Sequence, residues 1–144
     1  MASYVYSGYL YFKGNENDVK KFINELDNFL SLEDNWGELE DYYFEDSPAS
    51  VFLSTTETRG EIWDPLLPLM GKFPELSFFY RYREYLRHIC GYCVFTGAKE
   101  QYGDEYDYFI EEDDEEEGEP LEENYSYVFK EKVEPELNTW LDEK

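Results

Sequence analysis

The stretch LSFFYRYREYL at residues 76–86 constrains the fold of this chain more than any other segment. Its side chains alternate in character, and a period of two residues is that of a β-strand, whose successive side chains point to opposite faces. The apolar stretch ICGYCVFTG at 89–97 follows after two residues, so it predicts the second strand of an antiparallel hairpin. We therefore expect a fold built around an antiparallel sheet.

Further strands are predicted where aromatic and β-branched residues cluster between turn-forming residues. They lie at 3–14, 41–46, 49–57, 105–110 and 124–130. In the first of these, Tyr4 and Tyr6 have one parity and Tyr9 and Tyr11 the other, which predicts a β-bulge at Gly8. The last two would form a C-terminal hairpin.

Three segments have the periodicity of helices. Residues 15–30 repeat apolar side chains at steps of three and four, and Asn15 can cap the helix. The segment 63–75 predicts a second helix, because Pro65 suits its first position. Residues 134–144 predict a short C-terminal helix with Leu137, Trp140 and Leu141 on one side.

These elements predict one α+β domain over residues 1–144. We expect a ferredoxin-like sandwich with a mostly antiparallel sheet, two helices on one face, and an extra C-terminal hairpin and short helix. An acidic loop would lie at about 111–123. Aromatic residues make up 20% of the chain, whereas acidic disordered proteins are poor in them, so the body is expected to be folded.

One segment, 59–97, combines a helix start, a strand start and a later glycine in a recurrent pattern. Its positions are Trp63, Pro65, Phe73, Pro74, Leu76, Phe78, Tyr82, Glu84 and Gly91. In this pattern it resembles the ferredoxin-like domain of small plasmid- and phage-borne proteins of the YubB and Api92 type. The single proline after Trp63-Asp64 and the acidic insertion after residue 103 depart from that pattern. The resemblance implies a fold and an origin on mobile elements, and it implies no catalytic residues.

The charge of the chain predicts its partners. With a net charge of −23, direct binding to nucleic acid or to an anionic membrane is excluded, because Lys and Arg supply the affinity there. A basic protein is the expected partner. Residues 104–123 hold 13 acidic residues and no Lys or Arg, yet without them the net charge would still be −10. The acidity therefore belongs to the body as well as to this run.

The predicted partner-binding residues are the carboxylates of that run. They are Asp104, Glu105, Asp107, Glu111, Glu112, Asp113, Asp114, Glu115, Glu116, Glu117, Glu119, Glu122 and Glu123. A duplex carries one phosphate charge about every 1.7 Å of its axis, so 23 charges correspond to roughly 39 Å of duplex. A compact chain of this length has a radius of gyration of about 14–15 Å. Its longest dimension is therefore close to the roughly 39 Å of duplex that carries the same charge.

The leading hypothesis is an acidic DNA-mimic inhibitor from a mobile element. It would block the nucleic-acid site of a host defence nuclease, such as a restriction enzyme or a CRISPR effector. The alternative is a protein-binding module that does not imitate DNA, an immunity-type inhibitor or adaptor whose acidic surface binds a basic partner. A third interpretation is that the run is a solvated hairpin loop.

No motif predicts an enzyme, a cofactor or a metal site. His88 is the single histidine, and we expect it near a turn. In a strand, Cys90 and Cys93 would point to opposite faces, so reduced structural cysteines are expected. The run 113–124 fails as an EF-hand loop, because Asn124 stands where the bidentate Glu is needed.

Two further expectations concern charge pairing and location. The cluster of Arg81, Arg83 and Arg87 is expected to pair with neighbouring carboxylates. The first residues lack the basic and apolar regions of a signal peptide, and the chain has two cysteines, so we expect a reduced, cytoplasmic protein.

Overall fold

A six-stranded antiparallel sheet forms the centre of the computed structural model, which describes residues 5–31, 39–55, 66–108 and 119–143. The strands are β1 (Tyr6–Lys13), β2 (Leu39–Asp46), β3 (Ala49–Thr55), β4 (Ser77–Glu84), β5 (Ile89–Thr96) and β6 (Lys99–Asp107). Their order is β2-β3-β1-β4-β5-β6, so β2 and β6 are the edges of the described sheet. The prediction of an α+β fold with a mostly antiparallel sheet is confirmed.

The hairpin predicted from the alternating stretch is confirmed. β4 and β5 pair from Ser77 opposite Thr96 to Glu84 opposite Ile89. A second tight turn then leads into β6, and Gly97 there has a φ of +59°. A side chain at this position would also approach the backbone of Pro74, with an added Cβ 2.9 Å from its Cα.

The predicted bulge at Gly8 is wrong. β1 pairs with β4 without a break from Tyr6 to Lys13, so Tyr6 and Tyr9 point to opposite faces. Both faces of the sheet are covered by apolar side chains, and tyrosines of either parity can therefore be buried. Gly8 is needed for a different reason, because an added Cβ would lie 2.9 Å from the Cα of Tyr82. Tyr4 lies outside the described residues.

One face of the sheet is covered by α1 (Glu16–Ser31) and the short α2 (Leu67–Met70). The Asn15 side chain accepts a hydrogen bond from the backbone N–H of Asn17 at 2.8 Å, which confirms the predicted cap. Phe22 of α1 lies at the centre of this first core, in ring contact with Phe12, Phe73 and Phe78 at 4.9, 5.5 and 5.0 Å between centroids. Residues 63–65 of the predicted second helix lie outside the described residues.

Over β4 and β5, the opposite face is covered by one continuous C-terminal helical segment. It consists of α3 (Glu119–Val128), a π-helical turn (Phe129–Val133) and α4 (Glu134–Asp142). The buried members of this second core are Tyr11, Phe79, Cys90, Tyr92, Val94, Tyr108, Leu121, Val133, Leu137 and Trp140. Helices therefore lie on both faces of the sheet. No helix in the described part of the chain is long and apolar enough to cross a bilayer.

The strand predicted at 124–130 is helical, and the C-terminal hairpin is absent from the described residues. β6 ends at Asp107 and pairs with β5. Tyr125, Tyr127 and Phe129 alternate as a strand would, but Tyr127 is 64% exposed. A longer window, which includes Leu121 and Val133, follows helical spacing with one extra residue in the π-helical turn. The strand prediction for 124–130 was wrong because so short an alternating segment fits a helix as well as a strand.

Candidate partner-binding surface

Arg83 of β4 is held beneath the C-terminal helical segment. Its side chain is 10% exposed and donates to both carboxylate oxygens of Glu122, at 2.9 and 2.5 Å. Its Nε donates to the Tyr108 hydroxyl at 2.8 Å. The ring centroids of Tyr85 and Tyr125 lie 4.5 and 4.0 Å from its guanidinium carbon. Burial alone would lower the pKa of Arg83, but the bonds to Glu122 and Tyr108 raise it above its ordinary value.

Arg81 lies on the same face of β4 and is bound by aromatic groups. Its Nε donates to the Tyr11 hydroxyl at 2.9 Å. Its guanidinium carbon lies 4.4 Å from the ring centroid of Tyr9 and 4.9 Å from that of Phe129. These contacts hold the cation against the second core, where it cannot form a positive surface patch.

Arg87, in the turn after β4, pairs with the buried carboxylate of Glu84. Its Nε donates to Glu84 Oε1 at 3.0 Å. Glu84 is 0% exposed, and it also accepts the backbone N–H groups of Val5, Leu86 and Arg87 at 2.8, 3.0 and 2.8 Å. Burial would raise the pKa of Glu84, but the backbone hydrogen bonds and the Arg87 side chain outweigh it and hold the pKa below its ordinary value. The predicted pairing with carboxylates is confirmed for Arg83 and Arg87.

The carboxylates have the opposite distribution. Apart from Glu84, each acidic side chain that the structure places is exposed or half-buried. Two surface lysines pair with them, Lys20 with Glu16 and Lys72 with Glu25, both at 3.5 Å. Arg81 and Arg83 are held against the second core, whereas the Arg87 side chain is 41% exposed and pairs with the buried carboxylate of Glu84. Carboxylates therefore dominate the charged surface of the described residues.

One acidic edge of the sheet is β6. Glu100, Asp104, Glu105 and Asp107 are all exposed on it. The Tyr82 hydroxyl donates to Glu105 Oε1 at 2.8 Å, and Asp104 Oδ1 accepts the backbone N–H of Glu105 at 2.9 Å. These bonds fix the directions of two carboxylates that still face solvent.

The carboxylates also act on neighbouring tyrosines. Burial, with Glu136 and Asp104 among the further causes, raises the pKa of Tyr92 to about 12. Burial and Asp104 likewise raise the pKa of Tyr106.

Tyr108, which follows β6, and Asn124 of α3 meet at one corner of the sheet. The Tyr108 N–H donates to the His88 carbonyl at 2.9 Å, and the Asn124 side-chain amide donates to the Tyr108 carbonyl at 2.6 Å. These bonds join the end of β6 to α3. The Arg83 pair with Glu122 fastens the same corner.

The predicted partner-binding residues fall into three groups: those on β6, those in α3, and those outside the described residues. The structure places Asp104, Glu105 and Asp107 on β6, and Glu122 and Glu123 in α3. Glu119 is the first residue of α3, and the residues from Glu111 to Glu117 lie outside the described part of the chain. Glu122 forms an ion pair with the buried Arg83. The bond to Arg83 lowers its pKa.

A second acidic edge, on β2, was missed from the sequence. Asp41, Glu45 and Asp46 are exposed there, and Tyr43 between them is 44% exposed. Asp41, Tyr43 and Glu45 share one face because they alternate along the strand. The stretch DYYFED carries this signal, but its position at the sheet edge depends on long-range pairing with β3.

Tyr43 also begins a set of rings in contact, one pair stacked and the next edge-to-face, which we call the aromatic row: Tyr43, Phe52 and Tyr9. The Tyr43 and Phe52 centroids are 4.9 Å apart with an interplanar angle of 23°, and those of Phe52 and Tyr9 are 5.2 Å apart. The three residues are paired across β2, β3 and β1, and Arg81 follows opposite Tyr9 on β4. The row therefore crosses half of the sheet on its second face.

The remaining sequence candidates have structural roles. His88 lies in the β4–β5 turn with a φ of 57°. Cys90 and Cys93 are buried free cysteines on opposite faces of the sheet, as predicted, and burial raises the pKa of Cys90 to about 11. Within the described ranges, no cluster of His, Cys, Asp and Glu side chains could hold a metal ion.

Comparison with protein families, with curated proteins and with solved structures gave no match. Any functional conclusion must therefore come from the charges, contacts and exposure of the chain's own residues.

Proposed function

We propose that this protein is an acidic DNA-mimic inhibitor that occupies the nucleic-acid site of a host defence nuclease, of the restriction or CRISPR type. The observation that carries the proposal is the separation of charge. The described arginines are bound beneath the C-terminal helical segment or at a buried carboxylate, while acidic side chains line both edges of the sheet. Such a surface would bind the Lys and Arg residues that a nuclease uses for phosphates.

The spacing of the two acidic edges also supports the proposal. Six strands at about 4.8 Å place β2 and β6 roughly 24 Å apart. This separation is about twice the roughly 12 Å width of the major groove, so the two edges would meet basic residues on different sides of the target's DNA channel. Asp104, Glu105 and Asp107 would imitate one strand, and Asp41, Glu45 and Asp46 the other.

The test is competition with DNA. The tagged protein is used to capture partners from a bacterial lysate, and bound proteins are eluted with duplex DNA or, separately, with salt. A nuclease released by duplex DNA, whose cleavage the added protein inhibits, is the expected result. A partner that salt releases and duplex DNA does not would overturn the proposal.

Two variants locate the acidic groups that matter. Neutralising the β6 edge by Asp104→Asn, Glu105→Gln and Asp107→Asn should weaken inhibition, and deleting residues 111–119 should weaken it without abolishing it. We expect both variants to lose only part of the inhibition, because a DNA mimic spreads its negative charge over the whole folded domain. Binding that survives the edge variant and disappears with the deletion would favour the second candidate function.

That second candidate is a binding module that recognises a basic partner without imitating DNA. It is favoured by one observation, the aromatic residue Tyr43 exposed between Asp41 and Glu45. Exposed tyrosines supply specificity at protein interfaces, and such a contact does not depend on the imitation of phosphates.

We further propose that β1, α1, β2, β3, α2 and β4 form a ferredoxin-like unit of the mobile-element type. The strand order β2-β3-β1-β4 supports this interpretation, with β5 and β6 as additions to the unit. A cytoplasmic location is proposed with it, because the target nucleases act there.

A further inference from the structure

The two halves of the second face differ in what covers them. Over β4 and β5, the face packs against the C-terminal helical segment. On the other half, the aromatic row leads outward from Tyr9 to Tyr43, and exposure increases in the same direction. Its outer end is therefore open to a partner.

The inner end of the aromatic row already binds a guanidinium. Arg81 lies 4.4 Å above the Tyr9 ring, and its Nε bonds to Tyr11. Planar guanidinium groups stack on aromatic faces more readily than ammonium groups do. The Tyr43 ring offers a similar surface at the outer end, where the fold provides no such cation within the described residues.

Carboxylates complete the outer end. Asp41 and Glu45 flank Tyr43 at two residues on either side, so all three side chains share a face. The hydroxyls of Tyr43 and Tyr9 lie 3.3 Å apart, which ties the exposed ring to the rest of the row. β2 is also an edge of the described sheet, so an extended segment can run beside it by strand addition.

We propose that this outer end is a docking site for an arginine of an extended, basic segment of a partner protein. The guanidinium would stack on Tyr43 and pair with the carboxylate of Asp41 or Glu45. The inference deepens the proposed function, since it rests on a basic partner and assigns a specific contact to it. It does not require that the partner binds DNA.

The probe is a short extended peptide that alternates Arg and Thr, with a counterpart that has Lys at every Arg. Binding is measured by calorimetry, and the contacted residues by NMR shift changes. We expect the Arg peptide to bind several-fold more tightly than the Lys peptide, and shifts to centre on β2. Tyr43→Ala should weaken the Arg peptide about fivefold to tenfold, and Tyr43→Phe should retain most of the affinity.

The matched control is Tyr102→Ala on the opposite acidic edge. Tyr102 is 43% exposed, against 44% for Tyr43, and it also lies on a strand rich in carboxylates. This variant should change affinity less than about twofold, and thermal melting checks that both variants fold. Equal losses at Tyr43 and Tyr102, or equal binding of the two peptides, would overturn the inference.

The two proposals can fail separately. Peptide binding that depends on Tyr43, together with a partner that duplex DNA does not displace, would remove DNA mimicry and keep the docking site. Displacement by DNA with no effect of Tyr43→Ala would do the reverse.

Discussion

The two faces of the sheet are stabilised by different chemistry. The first core is mainly hydrocarbon, with Phe22 surrounded by other phenylalanines. The second face combines apolar packing with Arg81 and Arg83, which are held by tyrosines and by Glu122. The difference shows that this chain, which has few cations, uses two of its arginines to stabilise the second face. Arg83 balances one exposed carboxylate, that of Glu122, while its own charge lies beneath the C-terminal helical segment.

The largest expected effect is in the first core. Phe22→Ala should lower the free energy of unfolding by about 3–5 kcal/mol, because it leaves a cavity among close-packed rings. Phe22→Leu keeps most of the volume and should cost less than about 1.5 kcal/mol. Urea denaturation measures both. A small loss for the alanine variant would mean that the first core is not close-packed.

The next largest loss of stability is expected at Glu84, a buried charged residue at the margin of the first face. Glu84→Gln should cost about 1.5–3 kcal/mol near neutral pH, because charge-assisted hydrogen bonds are lost. The pKa of Glu84 is lowered in the folded state, so its contribution is present above the unfolded pKa and disappears as the pH falls through the folded pKa.

The gap in stability between wild type and Glu84→Gln should therefore narrow on acidification. Urea denaturation over a series of pH values measures it, with Glu123→Gln, at an exposed site in α3, as the control. A gap that stays constant would show that the lost interaction does not depend on the charge.

On the second face, the two partners of the Arg83–Glu122 ion pair should contribute unequally to the free energy of unfolding. Arg83→Met leaves the Tyr108 hydroxyl without its buried donor and should cost about 2 kcal/mol. Glu122 is 57% exposed in its side chain, so Glu122→Gln should cost about 1 kcal/mol or less. Arg83→Lys should not restore stability, because an ammonium cannot bond in the same bidentate geometry. Equal losses for the Arg83→Met and Glu122→Gln variants would contradict this account.

The smallest effect distinguishes two buried hydroxyls of β3. The Thr55 hydroxyl accepts the backbone N–H of Tyr6 at 3.1 Å, whereas Ser50 Oγ has no hydrogen-bond partner among the residues that the structure describes. Thr55→Val should lower stability by about 1 kcal/mol, and Ser50→Ala should leave it unchanged or slightly raise it. Thermal unfolding of the two variants side by side is sufficient, and destabilisation by Ser50→Ala alone would contradict the assignment.

Local patterns predicted the elements with long and regular periodicity. The helix of residues 15–30, with its Asn15 cap, and the hairpin of β4 and β5 follow from spacing within one window. The stretch at 124–130 failed because three alternating aromatics fit a strand as well as a helix. Only the packing of Leu121 and Val133 against the sheet distinguishes the two.

The candidate surface was predicted less completely than the fold. The charge of the run after residue 103 is visible in the sequence, and so is the acidity of the remaining chain. The aromatic row is not visible there, because Tyr43, Phe52 and Tyr9 come together through the register of three strands. A one-residue shift in that register would move each of these rings to the opposite face.

The sequence by itself therefore determined the class of fold, the antiparallel sheet and the sign of the chain's own net charge. These depend on composition and on local periodicity, which require no knowledge of distant contacts. The tertiary structure decided that helices cover both faces, that Arg81 and Arg83 lie beneath one of them, and that both sheet edges are acidic. Each of these depends on pairing between residues far apart in the chain, and sequence spacing does not encode that pairing.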